Sequence, residues 1–256
     1  MPPARPARPA PGHLISYTHA LCPYAQRVAV LLLEKRVPTT RCPIDLAAKP
    51  RWFREVNPRG LVPCVEHSGG VVVESLDILR WVDASFGEPL APLASQGRVD
   101  ALLGGPCEAV VGAGLRVAAG TDGRHWGLGT RPSASQKEAF LRAVGDLAAA
   151  LEASGGPYLA GPAVSLADCA LVPFLERFDL ALRGVAGWAW DEEDGAARRL
   201  AQYLRDVRAR PAFRAAAPDD QLMLAALREH MSLDFFDYES VPDLALHPHW
   251  DGGRVG

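Results

Sequence analysis

Cys22 opens the tetrapeptide Cys22-Pro23-Tyr24-Ala25, where an apolar strand-like run, Leu14 to Thr18, gives way to helical periodicity. A sulfur in that position faces the free amides and positive dipole end of a helix, which favours thiolate over thiol. A free cysteine titrates near pH ~8.5, and each unit of lowering corresponds to about 1.4 kcal/mol of thiolate stabilisation. The tetrapeptide holds no second cysteine, so a mixed disulfide on Cys22 must be resolved by a thiol from outside, a monothiol cycle. A buried, inert cysteine that happens to precede a helix is the competing reading of these four residues.

Two further pairs suit the recognition of a small peptide-like thiol. Val62-Pro63 opens a strand, and a cis bond there turns the Val62 backbone outward to pair with an extended ligand; a trans proline starting a strand is the plainer alternative. Glu74-Ser75 falls at a helix start, where free amides and a hydroxyl hold a carboxylate and Glu74 meets an amine. A helix-capping role for Ser75 is compatible with this.

These residues need a scaffold, and the pattern predicts one. Pro23 suits a first helical position, Ala25, Val28, Ala29, Leu32 and Leu33 recur at helical spacing, and Pro38 lies past the end. A second strand is expected over Thr40 to Leu46, parallel to the first, and a short helix over Pro50 to Val56. Pro63 to Glu66 and Val71 to Val73 flank a Gly-containing turn as a hairpin, and Ser75 is expected to cap a helix running to Phe86. The order β-α-β-α-β-β-α is that of a thioredoxin-like domain. Helices are expected over Gln136 to Ala153, Leu166 to Leu182, Gly195 to Arg208 and Asp219 to His230. Ser165 to Asp168 reads as a capping box, which makes Asp168 structural. Gly104, Gly105, Pro106, Gly112 and Gly114 interrupt the helical pattern of Ala101 to Gly120, each glycine costing about 1 kcal/mol relative to alanine.

The expected domain plan is a disordered tail over 1–12, a thioredoxin-like domain over 13–86, a linker over 87–98, an all-helical domain over 99–230 and a tail over 231–256. The 256 residues are 48% hydrophobic and 22% charged with a net charge of −3, ordinary globular usage without a positive field for nucleic acid. No uninterrupted apolar run reaches the roughly 18 residues of a membrane span. The five cysteines, an odd set without close pairs, suit reduced thiols rather than disulfides or a zinc site. A cytoplasmic location is expected, or an organelle if the Pro/Ala/Arg-rich start is the stub of a transit peptide.

Cys22 to Arg27, Asn57-Pro58, Leu61-Val62-Pro63 and Glu74-Ser75-Leu76 resemble the cysteine-type glutathione transferases, the lambda class more closely than the omega class. The likeness runs from Leu14 to Phe86 and extends into the helical half through Ser165 to Asp168 and Pro173 to Phe178. It implies a glutathione transferase fold, thioredoxin-like then all-helical. It also implies glutathione as co-substrate without a metal, and Cys22 as the nucleophile. Tyr24 then lines the thiol site, Lys49 reaches the glycine carboxylate, Val62 pairs with the cysteinyl backbone beside Pro63, and Glu74 and Ser75 bind the γ-glutamyl group. The implied activities are thiol transfer, deglutathionylation and dehydroascorbate reduction. Expected partners are small hydrophobic or glutathionylated substrates, with the chain a monomer or a homodimer. A conjugating transferase using a hydroxyl, for which Tyr17 is the one candidate, and a non-catalytic ligand carrier of the same fold are the alternatives.

Overall fold

The computed structural model describes residues 4–46, 48–118 and 132–229, and the chain divides into two compact units, one ending at Glu88 and the other beginning at Pro89. The first contains β1 (Leu14–Thr18), α1 (Pro23–Glu34), β2 (Thr39–Pro43), α2 (Phe53–Val56), β3 (Cys64–His67), β4 (Gly70–Val73) and α3 (Ser75–Ser85). The sheet order is β2-β1-β3-β4. β1 and β2 are parallel, whereas β1 with β3 and β3 with β4 are antiparallel. This is the thioredoxin-like arrangement expected from the sequence.

Local chemistry sets the element ends. Helix α1 stops because Arg36 turns left-handed (φ 52°), and the Val37 amide reaches back to the Leu32 carbonyl at 2.9 Å, a Schellman-type stop followed by Pro38. The Lys35 ammonium, almost fully buried, then binds Asp83 Oδ1 at 2.7 Å and the Asp83 and Glu88 carbonyls at 2.9 and 2.8 Å. That cluster ties the end of α1 to the end of α3.

Several expectations are corrected. Strand β2 ends at Pro43 rather than Leu46: after one more bond from the Ile44 amide to the Thr18 carbonyl the chain turns, with Asp45 accepting the Ala48 amide at 3.0 Å. Pro50 to Trp52 form a turn, so α2 begins only at Phe53. Ser75 does not cap α3. Glu74 holds the cap position with a left-handed backbone (φ 65°), and Ser75 is the first helical residue. The N-terminal tail has no regular structure over residues 4–10, but it is tied down. Arg5 reaches Glu66 at 3.3 Å and Glu55 at 3.5 Å, so the buried Glu66 carboxylate, which also accepts the Tyr17 hydroxyl at 2.6 Å, has a cationic partner.

The second unit is helical among the described residues. A 3-10 turn (Leu93–Ser95) leads into α4 (Gln96–Leu103), followed by α5 (Pro106–Ala118), α6 (Ala134–Glu152), α7 (Leu166–Gly184), α8 (Gly195–Arg208), α9 (Pro211–Ala216) and α10 (Asp220–Glu229). Helix α4 therefore starts inside the expected linker. His230 and the tail over 231–256 lie outside the described residues. The glycine-interrupted segment is helical after all, and Gly114 shows why: a Cβ there would sit 2.1 Å from the Phe178 ring, so close packing of α5 on α7 requires glycine. Leu93–Ala118 matches a membrane span in length and apolar composition. Gly104 and Gly105 break it into two helices, however, and α5 packs against α6 and α7 as a core element. Asp168 is fully buried and accepts from the Ser165 amide and hydroxyl (2.8 and 2.7 Å), the Leu159 amide (3.1 Å) and the Tyr203 hydroxyl (2.7 Å). Burial nonetheless pushes its carboxyl pKa up. It organises the start of α7, the structural role read from the capping box.

Candidate active site

Cys22 occupies the N-cap of α1 with an extended backbone (φ −75°, ψ 117°), and Pro23 takes the first helical position, where its missing amide costs nothing. The Cys22 carbonyl accepts the Gln26 amide at 3.0 Å. Its Sγ lies 3.9 Å from the Val62 carbonyl oxygen, and the Val62–Pro63 bond is cis. Strand β1, the turn before α1 and the approach to β3 thus bring a sulfur and an unladdered backbone edge together.

A cleft of about 340 Å³, lined entirely by the first unit, joins all of the sequence-predicted site residues: Cys22, Tyr24, Lys49, Val62, Pro63, Glu74 and Ser75. That volume is in the range of small-ligand sites. It offers a thiol at one end, the Lys49 cation, and a Glu74-Ser75 pair at the start of α3. Behind them, the buried Arg27 guanidinium donates to Ser75 Oγ at 3.2 Å and lies 5.2 Å from the centre of the Tyr24 ring. With an arginine proton directed at its oxygen, the Ser75 hydroxyl can turn its own proton toward an anionic ligand. Burial pushes the Tyr24 hydroxyl pKa up, opposed by Arg27, so the phenol stays neutral.

Two cleft residues were given no role by sequence reasoning. Arg59, at the rim, forms an ion pair with Glu74. Asn57, buried behind it, shapes the turn: its side chain donates to the Leu61 carbonyl at 2.8 Å and accepts the Arg59 amide at 3.2 Å. Asn57-Pro58 entered the sequence reading only as part of the family resemblance, and nothing local in the sequence pairs residues 59 and 74.

The rival groups are elsewhere. Tyr17 is fully buried and absent from the cleft; it bonds to Glu66 and packs on Phe53, ring centres 5.6 Å apart. Burial, reinforced by Glu66, pushes its hydroxyl pKa far up, which removes it as an activator of a ligand thiol. None of the five cysteines is in a disulfide. Cys42 and Cys64 flank Tyr17 in register on β2 and β3, two strand spacings or ~10 Å apart, beyond the reach of a disulfide. Burial pushes the Cys42 thiol up to about 11, and burial with Glu66 nearby pushes Cys64 up to about 12.

Comparison with known proteins places both halves of the chain in one family. The profile of the glutathione S-transferase N-terminal domain matches residues 17–90, and that of the C-terminal domain matches residues 81–206. Glutathione S-transferase L1 of Arabidopsis thaliana is 34% identical over 174 residues, 66% of each chain. Glutathione S-transferase DHAR2 of the same plant is 26% identical over 183 residues, covering 72% of this chain and 79% of that one. Among solved structures, glutathione transferase Omega 2C of Trametes versicolor superposes with a TM-score of 0.69 at 26% identity, covering 86% of this chain and 99% of that one. With both domain profiles matched in order and a cysteine at the head of α1, the chain belongs to the glutathione S-transferase family, on its cysteine-type side.

Proposed function

We propose that the protein is a glutathione-dependent thiol transferase working through a Cys22–glutathione mixed disulfide. The observation that carries this reading is the place of Cys22, at the N-cap of α1 and in one cleft with Lys49, Val62, Glu74 and Ser75. In the first step the Cys22 thiolate attacks the glutathione sulfur of a glutathionylated thiol. The Cys22–glutathione S–S bond forms, the substrate's S–S bond breaks, and the substrate leaves as a thiolate that takes up a proton. In the second step a glutathione thiolate attacks the glutathione sulfur of the adduct, giving glutathione disulfide and returning Cys22 as thiolate. One glutathione is consumed for each disulfide reduced, because the other half of the glutathione disulfide comes from the substrate. Dehydroascorbate carries no sulfur, so there the Cys22 thiolate first adds to a carbonyl carbon. A glutathione thiolate then attacks the Cys22 sulfur, and the C–S bond breaks with its electron pair leaving on ascorbate. A second glutathione resolves the Cys22–glutathione disulfide, the two glutathiones supplying the two electrons.

The remaining residues hold the peptide. Lys49 takes the glycine carboxylate, the Val62 backbone pairs with the cysteinyl residue as an added strand beside Pro63, Tyr24 borders the sulfur, and Glu74 and Ser75 receive the γ-glutamyl end. A thiol cycle needs a reacting sulfur and a conjugating or carrier protein does not, so replacing Cys22 separates them. Reduction of hydroxyethyl disulfide by glutathione is expected to disappear in Cys22→Ser and to stay within twofold of wild type in Cys64→Ser. Persisting activity in Cys22→Ser refutes the assignment, and loss in Cys64→Ser makes the cycle dithiol.

A further inference from the structure

We infer that Arg59 is a substrate-binding residue: with Glu74 it forms a two-charge template for the zwitterionic α-amino-acid end of the γ-glutamyl group, Arg59 taking the α-carboxylate while Glu74 takes the α-ammonium. The inference deepens the proposed function and rests on it.

Arg59 and Glu74 both line the cleft and are ion-paired to each other, with side chains 63% and 56% exposed. A pair this open to water contributes little to stability, so holding the fold together does not account for it. Both backbones are fixed more firmly than an incidental surface pair needs. Glu74 sits left-handed at the head of α3, a conformation that a non-glycine residue keeps only where its surroundings impose it. Arg59 rides on the turn held by the buried Asn57, whose side chain binds the Arg59 amide and the Leu61 carbonyl. A cation and an anion placed side by side are the complement of a ligand end that carries an anion and a cation side by side. On binding, the ligand ammonium replaces Arg59 on Glu74, the ligand carboxylate replaces Glu74 on the guanidinium fork, and the Ser75 hydroxyl reaches the same carboxylate. An arginine suits this exchange because its planar fork can grip a carboxylate in two-point fashion.

The test is calorimetric titration of the reduced full-length chain with glutathione and with γ-aminobutyryl-cysteinylglycine, the same peptide without the α-carboxylate. Arg59→Gln is expected to weaken glutathione binding about tenfold, the scale of one charge-assisted contact. Its affinity for the analogue should stay within twofold of the wild-type value for that analogue. The glutathione defect should shrink as salt is raised, since the groups are exposed. Unchanged or tighter glutathione binding in Arg59→Gln overturns the inference, because Arg59 then merely competes for Glu74. Equal weakening for both peptides overturns it as well, since the effect is then independent of the carboxylate. If the wild-type chain binds no glutathione, the proposed function falls and takes the inference with it; if the wild type binds and only the Arg59 effect is absent, the inference falls alone.

Discussion

Five thiols share this chain, and their surroundings give them different chemistry. Cys22 stands at a helix start in a cleft, whereas Cys42 and Cys64 lie beside Tyr17 in the sheet with thiols pushed up to about 11 and about 12 by burial. A raised thiol forms thiolate only as pH climbs toward its own value, so at pH 7 a thiol at 11 is ionised in roughly one molecule in ten thousand. Limited iodoacetamide labelling of the native protein at pH 7, followed by peptide mapping, should therefore modify Cys22 well before Cys42 or Cys64, and labelling of those two should rise only toward strongly alkaline pH. Labelling of all three at similar rates near neutrality contradicts this ordering. At this scale the sequence was informative where neighbours in the chain are neighbours in the site, as in Cys22-Pro23 and Glu74-Ser75. It was silent on Arg59 with Glu74, on Arg27 with Ser75 and on Tyr17 with Glu66, because each of those pairs is made by folding.

The elements were legible from periodicity and punctuation, and the misplaced boundaries were decided by one or two residues at each end. The turn at Asp45, whose side chain takes the Ala48 amide, ends β2 after the Ile44 bond, and Glu74, by turning left-handed, takes the cap position from Ser75. The glycines of α5 looked like breaks because propensity counts only the cost of glycine, about 1 kcal/mol relative to alanine, and not the ring of Phe178 that needs the space. At Gly114 the packing effect should win. Gly114→Ala gains that propensity but places a methyl 2.1 Å from the ring, and overpacking of a core typically costs about 1–3 kcal/mol or more. Its midpoint of thermal unfolding should fall below wild type, while Gly145→Ala, with open space around its α-carbon in α6, should match or exceed wild type. A Gly114→Ala protein as stable as Gly145→Ala would show that α5 is not held against Phe178. The tail before β1 was expected to be disordered on composition alone, which could not show that Arg5 would meet the buried Glu66.

For the molecule as a whole, the two-part order of a mixed sheet domain followed by helices was readable because the two periodicities change once, near Gly87, and the family profiles match in the same order. The cleft that the proposed cycle uses is lined wholly by residues between Cys22 and Ser75, all in the first unit. The most direct test of a Cys22-centred monothiol cycle is the intact mass of the full chain after treatment with glutathione disulfide, with the adduct located by peptide mapping. The expected result is one glutathione per chain, on the Cys22 peptide, removed by added glutathione and absent from Cys22→Ser. Glutathione on Cys42, Cys64, Cys107 or Cys169 in place of Cys22, or a Cys22–Cys64 linked peptide without an adduct, would contradict it.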